Sequence, residues 1–171
     1  MAKSVSKSRP KPPRICVIVS RYNESITAAL LAGAIKAHRD RYGSDPTVAD
    51  APGAFELTVL AATAATSREF DAIVCLGCVI RGDTDHDRYI CDAVSRGLTE
   101  IAIGTGVPVA FGVLTVDDVK QAKERAGGKH GNKGEEAMVA AIEAFMSATC
   151  IRAGRGYSMG AKVNDKSERR A

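Results

Sequence analysis

The sequence contains no tryptophan, and only four phenylalanines and four tyrosines stand among its 171 residues. With so few large rings, the core must be built from Ala, Val, Ile and Leu. No aromatic side chains interleave with the basic residues, which argues against a surface that stacks nucleic-acid bases. Long hydrophobic runs are also missing. No apolar stretch approaches the roughly 20 residues that span a bilayer. The basic N-terminus lacks a secretory apolar segment, because Pro10, Pro12 and Pro13 interrupt it. A soluble, cytoplasmic protein with no membrane or nucleic-acid partner is expected. Two nucleotide-binding signatures are absent: no Walker A pattern, and no G-x-G-x-x-G after the first strand. A P-loop NTPase and a Rossmann dehydrogenase are therefore disfavoured.

The five cysteines are odd in number and loosely spaced. Cys16, Cys75 and Cys78 lie in apolar runs and read as reduced, buried small hydrophobes. Cys75-Leu76-Gly77-Cys78 has the spacing of a metal or redox pair. It lies mid-strand, however, where residues three apart point to opposite faces and cannot easily share an ion. His38 and His130 have no partners at ligand spacing and are expected at the surface. No metal site is expected.

What is present is one domain with basic ends. The net charge of +4 gathers in Lys3, Lys7, Arg9, Lys11 and Arg14, and again in Arg152, Arg155, Lys162, Lys166, Arg169 and Arg170. The ends read as solvated tails, 1–13 and 152–171, around a near-neutral body at 14–151. In that body, β-branched blocks alternate with amphipathic stretches. Strands are expected over 15–19, 47–49, 71–80 and 107–114. Helices are expected from an Asn23 or Ser25 cap to Gly43, from near Phe55 to Arg68, over 86–103, from a Thr115 cap to Arg125, and over 133–149. A glycine loop (Gly127, Gly128, Gly131) separates the last two. The order β-α repeated, with crossover-length connections, predicts an α/β fold with a parallel sheet and helices on both faces.

Ligands of such sheets bind at the carboxyl ends of the strands. Three polar loops are expected there, at 20–23, 51–56 and 81–86, with Phe111 to Thr115 at a fourth strand end. Arg81-Gly82-Asp83-Thr84-Asp85-His86 leads into a helix start. Its backbone N–H groups suit an anion, Gly82 permits close approach, and Thr84 adds a hydroxyl. The His86 imidazole can move protons both ways near neutral pH. The same residues also make an ordinary capped turn. Glu56 can accept hydrogen bonds from hydroxyls, or serve only the helix dipole. Arg125 and Lys133 can hold a phosphate or simply complement helix ends. Tyr22 can stack on a heteroaromatic ring or sit as a plain loop aromatic.

Together these stretches resemble the lumazine synthase family. The resemblance rests on Arg21-Tyr22-Asn23-Glu24, Pro52-Gly53-Ala54-Phe55-Glu56, the run from Leu76 to His86, Val107 to Thr115, Gln121 to Gly127, and Asn132-Lys133-Gly134. It implies a flavodoxin-like, three-layer αβα fold around a mainly parallel four-stranded sheet. It implies condensation of 5-amino-6-(D-ribitylamino)uracil with 3,4-dihydroxy-2-butanone 4-phosphate, without metal or organic cofactor. It also implies roles: Tyr22 stacks on the pyrimidine, and Ala54, Phe55 and Glu56 hold the ribityl chain and ring edge. The backbone of Cys78, Val79 and Ile80 meets the ring. Asp83 (through its N–H) and Thr84 bind phosphate, and His86 exchanges protons. Phe111 and Arg125 come from a neighbouring subunit, with Lys133 nearby. The implied assembly is a pentamer, or a shell of twelve pentamers (a 60-mer), the latter favoured by the short Gly127–Gly131 link; riboflavin synthase is an implied partner. Two positions depart from the family pattern. Tyr22 stands where Phe or Trp is usual, and Asp87 puts an extra carboxylate beside His86 where an aromatic is typical. A flavin- or lumazine-binding scaffold with little catalysis, and a flavodoxin-like electron carrier, are the alternatives.

Overall fold

The computed structural model describes residues 12–158. Both expected tails therefore lie largely outside the described residues. Where the C-terminal stretch is described, the Tyr157 hydroxyl donates to Glu143 on the last long helix.

Four parallel strands form the sheet: β1 (Ile15–Ser20), β2 (Thr47–Ala51), β3 (Ala72–Ile80) and β4 (Val109–Val116), in the order β2-β1-β3-β4. The helices are α1 (Glu24–Tyr42), α2 (Leu57–Thr66), α3 (His86–Thr105), α4 (Val119–Arg125) and α5 (Lys133–Arg152). The alternating pattern predicts this parallel sheet with helices on both faces, and its three-layer flavodoxin-like form is the one that the resemblance implies.

Both faces of the sheet are covered, so its central strands are apolar throughout rather than alternating. Ala72, Val74, Leu76 and Cys78 pack with α1, α4 and α5 through Leu30, Ala34, Ala122, Met138 and Ile142. Ile73, Cys75 and Val79 pack against α2 and α3 through Leu57, Ala61, Val94 and Leu98. The period-two alternation thus sends Cys75 and Cys78 into different cores, as their spacing on a strand requires. At the bottom of the sheet, Arg14 joins β1 to β3. Its backbone N–H and its guanidinium both donate to the Asp71 carboxylate, at 2.8 and 3.1 Å.

Several local expectations are corrected. Thr115 does not cap a helix, because β4 runs on to Val116 in register with Ile80 of β3. Asp118 caps α4 instead, accepting from the Gln121 N–H at 2.8 Å. Phe111 to Thr115 therefore lie inside β4, not at its end. The glycine loop is a small antiparallel hairpin, β5 (Ala126–Gly128) with β6 (Gly131–Asn132). Positive φ values at Gly127 and Gly131 let it turn within so few residues. His38 is not a surface residue. It is 3% exposed, its Nδ1 lies 2.7 Å from the Ser44 carbonyl, and its Nε2 has no partner among the described residues. His130 is exposed, with Nε2 3.7 Å from Glu124.

Candidate functional site

At the carboxyl ends of β1, β2 and β3, three loops meet. The first is held twice. The Arg21 N–H donates to the Ala51 carbonyl at 2.8 Å, extending the β1–β2 ladder. The Asn23 amide donates to the Cys78 carbonyl at 2.9 Å, reaching the end of β3. Asn23 has a left-handed backbone (φ 59) at the start of α1, and its side chain does not cap that helix. The cap is forgone for a bond across the sheet. Ser20, wholly buried, accepts from the Tyr22 N–H at 3.2 Å. This leaves the Tyr22 ring 71% exposed, free to lie against a flat ligand.

The second loop follows β2. Ala54 is buried, Phe55 is 56% exposed, and Glu56 stands at the cap position just before α2. The Glu56 carboxylate folds back over Gly53, where a Cβ would come within 2.9 Å of it. Glycine at that position keeps the carboxylate turned toward the loop. The third loop follows β3. Cys78 and Val79 are buried and Ile80 is half-buried, so these residues offer backbone more than side chains. Burial pushes the Cys78 thiol up to about 11, which makes it no nucleophile near neutral pH. Asp83, Thr84 and His86 are all exposed on the loop and first turn of α3. Asp85, at the helix start, makes no capping bond with its side chain. The Arg88 N–H turns back to the Asp85 carbonyl at 3.1 Å, and the His86 and Asp87 N–H groups at the start of this twenty-residue helix are left to an outside acceptor.

Phe111, Arg125 and Lys133 stand elsewhere. They border a groove of about 450 Å³ along the open edge of β4, with Thr115, Glu136 and Ala137. Phe111 pairs in register with Cys75, five residues below the level of Ile80 and Val116. At about 3.3 Å per residue, that is roughly 16 Å below the strand ends. Arg125 is half-buried, its guanidinium donating to the Gln121 carbonyl one turn back on α4 at 3.1 Å. Lys133 is paired with Glu136 at 2.7 Å, so its charge is partly spent within the chain.

The sequence-selected residues therefore fall into two groups that one chain does not unite. One carries a stacking ring, an acceptor for hydroxyls, an open helix start and an imidazole. The other carries an exposed ring and an arginine. A family model described as 6,7-dimethyl-8-ribityllumazine synthase matches residues 12–148, and so takes in both groups. The chain belongs to that family. Membership gives it lumazine synthase activity in riboflavin biosynthesis in general terms, a transferase chemistry on small molecules.

Two residues of structural weight were not selected by their chemistry. Asn23 reads as a cap in sequence, yet it bonds a strand end 55 positions away. Asn132 caps α5 and also reaches α1, where its amide donates to the Ala29 carbonyl at 2.8 Å. Only its place before Lys133-Gly134 marked it. Among the described residues, no group of three or more His, Cys, Asp or Glu is placed to hold a metal ion, and no helix is long and apolar enough to cross a membrane.

Proposed function

We propose that the chain condenses 5-amino-6-(D-ribitylamino)uracil with 3,4-dihydroxy-2-butanone 4-phosphate to 6,7-dimethyl-8-ribityllumazine, in an active site shared between adjacent copies of a ring. The 5-amino group adds to the ketone and water leaves as the imine forms. Phosphate is eliminated, and the ribitylamino nitrogen closes the ring with loss of a second water. Each step moves protons, and none requires a covalent bond to the enzyme. The strand-end loops supply Tyr22 for stacking on the pyrimidine, with Ala54, Phe55 and Glu56 for the ribityl chain and ring edge. The backbone of Cys78, Val79 and Ile80 meets the ring. The N–H of Asp83, the Thr84 hydroxyl and the start of α3 take the phosphate. His86 donates and accepts protons beside it. The next copy brings Phe111 over the ring and Arg125 to the phosphate as a planar, permanent cation, with Lys133 close by. Holding two substrates in one slot supplies much of the acceleration.

The observation that carries this reading is the separation of the two groups within a family member. The strand-end loops carry the imidazole of His86 and an anion-accepting helix start, and the β4 edge carries the ring of Phe111 and the cation of Arg125, so each is read as half of one site. We take the assembly to be a pentamer, with twelve pentamers closing into a shell. The deciding experiment mixes both substrates with pure protein and follows lumazine fluorescence, with the mass of the assembly measured alongside. Product formation above the spontaneous rate is expected. A rate equal to the spontaneous one, in a correctly assembled ring, would sink the assignment.

A further inference from the structure

Asn132 lies between the two cations of the β4-edge groove. Its backbone pairs with Ala126, the residue that follows Arg125, and its next neighbour is Lys133. Both ends of its side-chain amide are engaged. Oδ1 accepts from the N–H groups of Gly134 and Glu135, at 2.9 and 3.2 Å, and so caps α5. Nδ2 donates to the Ala29 carbonyl in the second turn of α1, at 2.8 Å. Two glycines make room for this contact. A methyl group at Gly33 would overlap the Asn132 amide, and one at Gly134 would overlap the Leu30 carbonyl. A cap alone needs neither glycine nor the bond to α1, and serine or aspartate would serve equally well.

We infer that Asn132 is a positioning residue. It pins the β5–β6 hairpin and the start of α5 to α1, and so sets where Arg125 and Lys133 present their charges. The inference rests on reading those two cations as phosphate-binding groups. In the chain, α4 and the hairpin are short, and each anchors in the core by a single small residue, Ala122 and Ala126. Two alanine contacts and a few ladder bonds cannot by themselves hold a guanidinium to the fraction of an ångström that substrate positioning demands. The amide supplies a fixed point on a helix that is buried along one side.

The test compares Asn132→Ser, Asn132→Asp and Asn132→Ala in the full chain. Ser and Asp keep the cap but lose the donor to α1, whereas Ala loses both. All three variants are expected to raise KM for the phosphate substrate about tenfold, with kcat and the pyrimidine KM little changed. In Ser and Asp this should occur at near wild-type Tm. Hydrogen exchange of the 126–132 amides should quicken in all three. If Ser and Asp match wild type in KM and exchange while only Ala is impaired, Asn132 is a cap and nothing more, and the inference is overturned. Arg125→Ala is run beside them. A raised KM there with wild-type kinetics in Asn132→Ser overturns the inference alone. An unchanged KM in Arg125→Ala overturns the phosphate reading, and the inference with it.

Discussion

Two crippled variants of this chain should repair each other. His86 lies at the start of α3, above the carboxyl end of β3, whereas Arg125 borders the open edge of β4. Phe111, in the same edge groove, sits five residues below the strand ends, about 16 Å at the rise of a parallel strand. If a working site joins the loops of one copy to the edge of the next, each copy lends one half to each of two neighbours. His86→Ala spoils the first half and leaves the second intact. It should lower kcat by about ten- to a thousandfold, the range of general acid–base contributions. Arg125→Ala spoils only the second half, chiefly by raising KM for the phosphate substrate. In a ring assembled at random from equal amounts of both, a junction is sound only when an Arg125→Ala copy supplies the loops and a His86→Ala copy supplies the edge. Each condition holds for half the copies, so about one quarter of junctions should work. The assay is lumazine formation at a phosphate-substrate concentration well below the wild-type KM, after the two variants are dissociated and reassembled together. Recovery to about a quarter of wild-type activity is expected. A mixture no more active than the mean of its parents would refute the shared site.

Stacking by Tyr22 predicts that Tyr22→Ala raises KM for the pyrimidine about five- to tenfold while Tyr22→Phe leaves it nearly unchanged, as steady-state kinetics would show. Gly134→Ala should lower stability by about 3 kcal/mol, because its methyl group meets the Leu30 backbone, an obstacle that cannot rotate away. Gly104→Ala should instead raise Tm slightly, since it sits in α3 with open space around it and glycine costs a helix about 0.5–1 kcal/mol relative to alanine; calorimetry of the two variants distinguishes the signs. Burial pushes the Cys75 thiol up to about 12 and Cys78 up to about 11, from an ordinary 9.0. A thiol kept neutral in the fold, but ionising freely once unfolded, contributes stability that is complete below pH 9 and disappears as the pH climbs toward 11–12. Denaturant midpoints should therefore fall as the pH rises from about 9 toward 11, and Cys75→Ala should flatten that fall; equal slopes would contradict the burial argument.

Much of this molecule is written in short-range pattern. β-branched blocks of the right length, apolar on both sides, call for a covered parallel sheet, and the period of two sends Cys75 and Cys78 into opposite cores before any coordinates are consulted. The loops that carry Tyr22, Glu56 and His86 follow from where those blocks stop. What local pattern does not hold is any bond whose partner is distant in sequence. Thr115 looks like a cap until β3 extends the ladder through it to Val116. His38 looks like a surface residue until the Ser44 carbonyl turns back to receive it. Asn23 and Asn132 act on Cys78 and Ala29, 55 and 103 positions away. The division of the candidate residues into two groups is likewise tertiary. Residue order places Phe111 and Arg125 after His86 as though they were one set, but the strand order β2-β1-β3-β4 puts β4 at an edge, and Phe111 and Arg125 border a groove that takes in neither Thr84 nor His86. Sequence chose the side chains and their secondary structure, because those depend on near neighbours; only the closing of the sheet could say which of them share a surface, because that depends on which strand pairs with which.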